Sequence, residues 1–394
     1  MPTVFEMITL SAPFINGNEW NYVKECLDTG WVSSVGSYVD KFEQNICAFS
    51  GARYAVACVN GTAALHTALQ VVGVKAGDEV IVPTVTFIAP VNAVRYVGAE
   101  PVFMDCDDFY NIDVLKTKEF IENETVFKNG LTYNKKTGRC IRAIVPVHVF
   151  GNAVDLGNLI SICKERNIKV IEDAAESLGT CYNSGDLEGR HTGTIGDIGC
   201  YSFNGNKIIT TGGGGMIVTD NSECAERARY LTTQAKDDAS RYIHNEVGYN
   251  YRLTNIQAAL GVAQLEQLPE FIAVKKRNYN AYKEAIDNIV GLHLAEVPTY
   301  ADNNYWMCAL QVEKDFGEDK EALMERLVSD GIQTRPLWYL NHLQKPYKQC
   351  QAYRIEKACG MFENALCTPC SVGLKQGDIK KIVMALKKRK TEQK

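Results

Sequence analysis

The segment with the clearest capacity for covalent chemistry contains a lysine close to a run of glycines. Lys207 follows a short apolar run and a turn, and Gly212–Gly215 come a few positions after it. A lysine that links to an aldehyde must first become a neutral amine, a state that desolvation favours. Glycines nearby let the backbone approach a ligand closely. Taken alone, this segment fits a surface lysine in a flexible hairpin better than a reactive one.

A second segment ends an apolar run in carboxylates, because Val170 and Ile171 precede Glu172 and Asp173. Ligands of an open α/β sheet bind outside the carboxyl ends of its strands, so Asp173 would face such a ligand. An N-cap of a following helix is the equal alternative. Pyridoxal phosphate (PLP) needs an acid at its pyridine nitrogen and a lysine at its aldehyde. Asp173 and Lys207 together therefore raise the hypothesis of a PLP site.

A third segment, residues 60–66, joins a predicted strand to a predicted helix and contains Gly61 and Thr62. Free backbone N–H groups at the N-terminus of a helix form an anion site, so these two residues are candidates to hold a phosphate. An ordinary capped helix start is the alternative, and this segment alone favours it. The run lacks the spacing of a P-loop or of a dinucleotide fingerprint.

Alternating strand-like and helix-like runs must position these three segments. Short β-rich runs separated by helical spacing extend from about residue 54 to residue 173, which indicates βαβ units around a mainly parallel sheet. Residues 121–140 are polar and break this rhythm, so we expect a surface excursion there. A long helical stretch covers residues 254–286, with an interruption near Pro269.

The pattern changes after this long helix. Residues 305–312 are predicted to form a strand, residues 320–329 a helix and residues 379–390 a final helix. We therefore predict two domains. Residues 1–270, with an N-terminal arm, would form a large α/β domain, and residues 271–394 a smaller α+β domain.

The composition argues against several classes of protein. A net charge of -5, with 46% hydrophobic and 23% charged residues, is ordinary for a globular protein and gives no basic stripe for nucleic acid. No apolar run reaches the roughly 18 residues of a membrane span, and the first residues lack the pattern of a secretory signal. The 14 cysteines are irregularly spaced. The single CxxC, Cys367–Cys370, lacks further ligands at zinc spacing, so we expect no metal and a reducing cytoplasm.

The chain resembles the DegT/StrS family of PLP-dependent sugar-nucleotide aminotransferases from Pro13 to about Cys370. No single motif is specific, but their order is. The motifs that carry the resemblance are residues 60–65 (NGTAAL), 83–87 (PTVTF), 146–151 (PVHVFG), 172–176 (EDAAE), 202–216 (SFNGNKIITTGGGGM) and 248–255 (GYNYRLTN). The resemblance implies the fold-type-I aminotransferase fold, with a mainly parallel central sheet, flanking helices and a smaller C-terminal α+β domain.

The resemblance also implies roles toward PLP. Lys207 would be the Schiff-base lysine and the proton shuttle, and Asp173 would pair with the pyridine nitrogen. Phe87 would stack on the ring, and Glu176 would lie near its phenolic oxygen, where many family members carry Gln. The residues expected at the phosphate are Gly61, Thr62 and Ser202.

Other matching residues would contact the substrate or a second subunit. Asn250 would reach the phosphate of the neighbouring subunit's cofactor, which implies a homodimer with shared active sites. His148 and Arg252 are candidate substrate contacts, although a strand-end His is equally often structural. His342 lies in a basic and aromatic run, residues 334–347, that suits a nucleotide diphosphate; a packed loop between domains is the alternative.

The run Phe203–Thr211 resembles enzymes that aminate C4 of a UDP-linked 4-keto-6-deoxy-N-acetylhexosamine. Such enzymes serve bacillosamine or legionaminic acid routes to bacterial surface glycans and take the amino group from L-glutamate, which leaves as 2-oxoglutarate. Amination at C3 of another nucleotide sugar is an open alternative. A sugar 3-dehydratase is disfavoured because such enzymes replace the lysine with His, and a non-catalytic PLP-bound regulator is disfavoured by the intact Lys207 and Asp173.

Overall fold

Helices and strands alternate along the first half of the chain, as the periodicity predicts. The computed structural model describes residues 7–238 and 240–388. The helices are α1 (Glu19–Thr29), α2 (Ser37–Ser50), α3 (Gly61–Val71), α4 (Ala89–Tyr96), α5 (Val114–Asn123), α6 (Leu156–Glu165), α7 (Ser222–Thr232), α8 (Asn255–Glu266), α9 (Leu268–Ile286), α10 (Lys320–Ser329), α11 (Lys357–Asn364) and α12 (Gln376–Lys387). The strands are β1 (Tyr54–Cys58), β2 (Glu79–Pro83), β3 (Glu100–Met104), β4 (Thr125–Lys128), β5 (Leu131–Asn134), β6 (Ile141–Ile144), β7 (Lys169–Asp173), β8 (Cys181–Tyr182), β9 (Ile198–Ser202), β10 (Gly215–Thr219), β11 (Leu292–Leu294), β12 (Ala301–Asp302), β13 (Cys308–Val312), β14 (Arg335–Pro336), β15 (Ala352–Tyr353) and β16 (Ala365–Thr368).

The large sheet has the order β1-β10-β9-β7-β6-β2-β3-β15. Neighbouring strands are parallel from β9 to β15, and β10 runs antiparallel to both β9 and β1. Strands β2 and β10 are buried along their whole length, the pattern of strands covered on both faces. Helix α3 lies against β9 and β10, α4 against β2 and β3, and α6 against β7. This arrangement confirms the predicted α/β class with a mainly parallel sheet.

Local sequence explains where the helices around the site begin and end. The side chain of Asn60 accepts the N–H of Ala63 at 2.8 Å and caps α3. Thr254 and Gln257 form a capping box at the start of α8. The helical stretch predicted over 254–286 is divided at Gln267, and Pro269 stands in the first turn of α9, where a proline costs no hydrogen bond.

The polar residues 121–140, where a surface excursion was expected, form regular structure. They contain the end of α5 and a β-hairpin, in which β4 pairs with β5 in antiparallel register. Asn129 and Gly130 both have positive φ, 53° and 75°, as a type I′ turn requires. The Asn-Gly pair was therefore a hairpin signal, and the surface excursion expected between the units takes the form of this hairpin.

The C-terminal part contains a second sheet, with the antiparallel order β11-β13-β16-β14. The strand predicted over 305–312 begins only at Cys308, because Tyr305 has a φ of 53° and turns the chain. The last helix ends at Lys387, and residues 389 and 390 of its predicted span lie outside the described residues. The proposed division at residue 270 stays a prediction, and β15 shows that the C-terminal part also returns to the large sheet.

None of the helices in residues 7–238 and 240–388 is both long and apolar enough to cross a membrane.

Candidate active site

The carboxyl ends of four strands meet at one edge of the large sheet and enclose a cavity. Strands β2, β7 and β9 are parallel, and β1 runs in the same direction because β10 is antiparallel to both of its neighbours. The cavity has a volume of about 250 Å³. Its lining consists of Asn60, Gly61, Thr62, Leu65, Thr86, Phe87, Ala89, Pro90, Asp173, Ala175, Glu176, Ser202, Asn204, Asn206, Lys207, Gly213, Trp306 and Trp338.

The start of α3 and the end of β9 form a narrow cradle at the bottom of this cavity. A β-carbon built on Gly61 would lie 2.8 Å from Cβ of Ser202, so only glycine fits there without a shift. The first N–H groups of a helix have no partner inside the helix and attract an anion. Gly61, Thr62 and Ser202 therefore form a close-fitting cradle of the kind that suits an anion, and the capped helix start expected as its alternative is present as well.

The amine of Lys207 lies between an acid and an aromatic face. Its Nζ atom is 3.6 Å from Oε1 of Glu176 and 4.0 Å from the ring centroid of Trp306. The side chain is only 13% exposed, so the amine is held inside the cavity. The surface-hairpin alternative for this lysine does not describe the structure.

Two buried carboxyl groups share the cavity with this lysine. Burial raises the pKa of Asp173, although the N–H of Ala175, 3.0 Å from its Oδ1, and the nearby Lys207 oppose the shift. Burial also raises the pKa of Glu176 to about 7, again against the charge of Lys207. Oε2 of Glu176 accepts the N–H of Phe150 at 2.8 Å. The site therefore holds acids whose charge depends on what binds beside them.

Phe87 is the aromatic residue at the open side of the cavity. It is 54% exposed. Trp338 also lines the cavity, but its ring stacks on Phe150 with centroids 5.1 Å apart. A flat ligand in the cavity would cover the exposed ring of Phe87.

His148 lies behind the cavity and does not line it. Its Nδ1 atom accepts the N–H of Val154 at 3.0 Å, and its Nε2 atom lies 2.9 Å from Oε2 of Glu172. Glu172 also accepts the N–H groups of Gly193 and Gly196, at 2.7 and 2.6 Å. Both ring nitrogens of the fully buried His148 are thus engaged within the protein, which favours the structural alternative for this residue.

The remaining predicted residues lie outside the cavity. Asn250 is exposed, and Arg252 is half-buried beside Cys58. The Nδ1 atom of His342 lies 2.7 Å from Oγ1 of Thr84, in the loop after β2, and burial lowers the pKa of this histidine. The structure therefore brings together the residues that were predicted to hold the cofactor of their own chain, and leaves those predicted for the substrate or for a second subunit outside the cavity.

Sequence reasoning missed several lining residues, of which Trp306 is the most central. It belongs to the C-terminal part but reaches the lysine of the large sheet. Asn204 and Asn206, which flank the turn before Lys207, were visible in the motif but received no role.

The arrangement fits PLP. The cradle that a β-carbon would fill suits a phosphate, the buried Asp173 suits a pyridine nitrogen, and the enclosed Lys207 suits an aldehyde.

Comparisons with known proteins agree with this chemistry. A model of the DegT/DnrJ/EryC1/StrS aminotransferase family matches residues 13–387. The chain is 37% identical over 386 residues to GDP-perosamine synthase of Caulobacter vibrioides, covering 96% of this chain and 97% of that protein. It is 39% identical over 343 residues to GDP-perosamine synthase of Escherichia coli O157:H7, covering 87% of each. Among solved structures, the aminotransferase TlmJ from Streptoalloteichus hindustanus gives a TM-score of 0.84 at 26% identity, covering 96% of this chain and 98% of TlmJ.

Proposed function

Since the chain belongs to the DegT/DnrJ/EryC1/StrS aminotransferase family and is a PLP-dependent sugar aminotransferase, we propose that it moves the amino group of L-glutamate to the C4 keto group of a nucleotide-linked keto sugar. The family confirms the resemblance, the fold class and the cofactor expected from the sequence. One observation carries the proposal: Lys207, Asp173 and the Gly61–Ser202 cradle line the same cavity. The C4 position, the donor and the nucleotide are the parts that need a test.

In this proposal some residues of the cavity hold PLP and one of them moves a proton. PLP, when bound, supplies an electron sink for the substrate carbon that loses its proton. In our proposal Lys207 takes that proton and returns it to the other reacting carbon. Asp173 keeps the ring nitrogen protonated, and Phe87 covers the ring. Gly61, Thr62 and Ser202 hold the phosphate, and Glu176 lies on the side of the phenolic oxygen.

The nucleotide of the acceptor has two candidates. The run Phe203–Thr211 resembles enzymes for a UDP-linked 4-keto-6-deoxy-N-acetylhexosamine. The relatives named GDP-perosamine synthase, among them those of Caulobacter vibrioides and Escherichia coli O157:H7, favour instead the GDP-linked keto sugar whose amination gives GDP-perosamine. Their similarity extends over most of the chain, whereas the UDP interpretation rests on one short run, so the GDP-linked sugar has the better support.

Two features suit a shared active site in a homodimer. Asn250 is exposed and lies away from the cavity of its own chain, as expected of a residue that reaches a partner's cofactor. Arg252 and His342 stand at the periphery, where they would contact the sugar nucleotide rather than PLP. Nε of Arg252 is buried and has no hydrogen-bond partner among the described residues, so a ligand or a second subunit would satisfy it.

The test is a pair of half-reactions followed by absorbance. Purified protein with PLP should show a visible band, which L-glutamate should bleach and an acceptor sugar should restore. Lys207→Ala should show neither change. The UDP-linked and GDP-linked keto sugars are offered in parallel, and mass spectrometry and NMR of the product identify the nucleotide and the aminated carbon.

Each outcome decides a separate part of the proposal. Restoration by the GDP sugar alone selects the GDP interpretation, and restoration by the UDP sugar alone selects the other. An amine at C3 refutes the C4 assignment. A PLP-bound regulator would keep its visible band in glutamate, and full turnover by Lys207→Ala would refute the role of this lysine.

A further inference from the structure

Trp306 closes one side of the space around the Lys207 amine. Its ring centroid is 4.0 Å from Nζ, and its side chain is nearly fully buried. The indole N–H donates to the carbonyl oxygen of Asn206 at 2.7 Å, and Asn206 directly precedes the lysine. The ring is therefore fixed relative to the backbone that carries Lys207.

One buried amide, Asn304, fixes both neighbours of this amine. Its Oδ1 atom accepts the N–H of Trp306 at 2.9 Å, and its Nδ2 atom donates to the carbonyl oxygen of Glu176 at 2.8 Å. On the far side, Nζ of Lys275 donates to the carbonyl oxygen of Trp306 at 3.1 Å. The same side chain thus ties together the backbones that carry the acid and the aromatic ring next to Lys207.

We propose that Trp306 is a positioning residue that holds the amine of Lys207 in place whenever this lysine is not linked to the cofactor. A transaminase lysine is unlinked for part of every turnover, because the substrate amine takes its place, and it then carries a proton between two carbons. An indole face attracts a cation, most strongly where water is excluded. The ammonium formed when Lys207 takes the proton is therefore kept between Trp306 and Glu176 until it returns the proton. This inference rests on the proposed role of Lys207.

Trp306→Met and Trp306→Phe separate the aromatic face from the volume of the side chain. Methionine fills much of the space without a ring, and phenylalanine keeps a ring but loses the N–H. In single turnovers with glutamate, the Met variant should react about five- to thirtyfold more slowly at saturation, with the half-saturating concentration unchanged. Glutamate deuterated at Cα should give a larger isotope effect in this variant than in the wild type. The Phe variant should stay within about threefold of the wild type in rate.

A second measurement needs no turnover. In protein freed of PLP, acetic anhydride should modify Lys207 several-fold faster in Trp306→Met than in the wild type, as read by mass spectrometry. Trp338→Met is the matched control. It removes a second indole that lines the same cavity, but this indole stacks on Phe150 rather than on Lys207, so the labelling of Lys207 should not change.

The inference would be overturned if Lys207 were labelled equally fast in the wild type and in Trp306→Met. It would also be overturned if Trp306→Met changed only the half-saturating concentration of glutamate and not the rate at saturation. If Trp306→Met does not fold, the Phe variant decides, since a loss of rate there would assign the effect to the N–H bond rather than to the ring. Failure of the proposed function looks different, because Lys207→Ala would then still transfer the amine.

Discussion

The imidazole of His148 donates its Nε2 proton to Glu172 across 2.9 Å in the interior of the large sheet. The assignment of the proton follows from the other nitrogen, which accepts the N–H of Val154. Glu172 also accepts three backbone N–H groups from the loop before β9, those of Gly193, Ile195 and Gly196, so this pair joins the ends of β6, β7 and β9. Burial raises the pKa of Glu172, but the bond from His148 and the backbone N–H groups outweigh it and lower the pKa overall.

Replacing this histidine should weaken the fold and spare substrate binding. His148→Gln keeps a donor near the position of Nε2 but leaves the buried N–H of Val154 without its acceptor, so we expect the free energy of unfolding to fall by about 1–3 kcal/mol. Urea unfolding of the PLP-bound protein measures the loss, and His293→Gln, at an exposed position, should leave the midpoint unchanged. An unchanged midpoint in His148→Gln with weaker binding of the sugar nucleotide would restore the role in substrate binding.

Gly61→Ala should loosen PLP without unfolding the chain. The added methyl group would meet Cβ of Ser202 at 2.8 Å, and overpacking of this kind costs about 1–3 kcal/mol. Affinity for PLP should therefore fall between about fivefold and a hundredfold, as measured by equilibrium dialysis. Gly360→Ala is the control, because Gly360 does not line the cavity and its methyl group would meet no atom within 4 Å. Equal affinities for PLP in the two variants would contradict the binding of the phosphate at Gly61 and Ser202.

Asp173→Asn should separate binding of PLP from proton removal. The amide keeps the size of the side chain but no longer holds a proton on the ring nitrogen, so the cofactor withdraws electrons less strongly. We expect the visible band to form and the reaction with glutamate to slow by at least about a hundredfold. Stopped-flow absorbance follows the reaction. A rate close to that of the wild type would place the pyridine nitrogen elsewhere.

Glu176→Gln should change how stability depends on pH in protein freed of PLP. The pKa of Glu176 is raised on folding from 4.5 to about 7. The folded chain then holds this proton more tightly than the unfolded chain, so stability is lost as the pH rises from about 4.5 to 7. The Gln variant avoids this loss. Its advantage in melting temperature should be absent at pH 4, grow to pH 7 and then level off.

The advantage corresponds to a few kcal/mol at neutral pH, about 1.4 kcal/mol for each unit of the shift. Scanning calorimetry at several pH values measures it. Glu325→Gln, at an exposed position of α10, should show no such growth. A constant difference between Glu176→Gln and the wild type across this range would contradict a raised pKa.

The elements that hold the cofactor residues were predictable because their signals are local. The cap at Asn60 lies directly before α3, and the carboxylates at 172 and 173 end an apolar strand. In both cases the residues that give the signal are adjacent in sequence to the element they mark. The division of the long helical stretch at Gln267 was predictable because Pro269 follows it. The hairpin at Asn129 and Gly130 was missed although its turn signal is strong, because the polar composition around it was weighed more heavily.

The parts that escaped prediction depend on contacts distant in the sequence. Trp306 reaches Lys207 because Tyr305 adopts a positive φ and because Asn304 bonds to the segment after β7, and neither can be seen in the run itself. The role of His148 is similar, since only its two partners, Val154 and Glu172, show that both nitrogens are occupied. Local patterns place a residue at a sheet edge, but its neighbours decide whether it faces the ligand or the interior.

Strand β15 is formed by residues 352 and 353, yet it completes the large sheet beside β3. Asp105, directly after β3, then accepts the N–H groups of Glu356 and Lys357 at the start of α11. Ribosomes deliver a chain from its N-terminus, so the outer side of β3 stays open until nearly the whole protein has been made. An open strand edge pairs readily with other chains. We therefore expect rapid overproduction to expose nascent chains to edge pairing at Phe103 and Met104, which β15 covers in the finished enzyme.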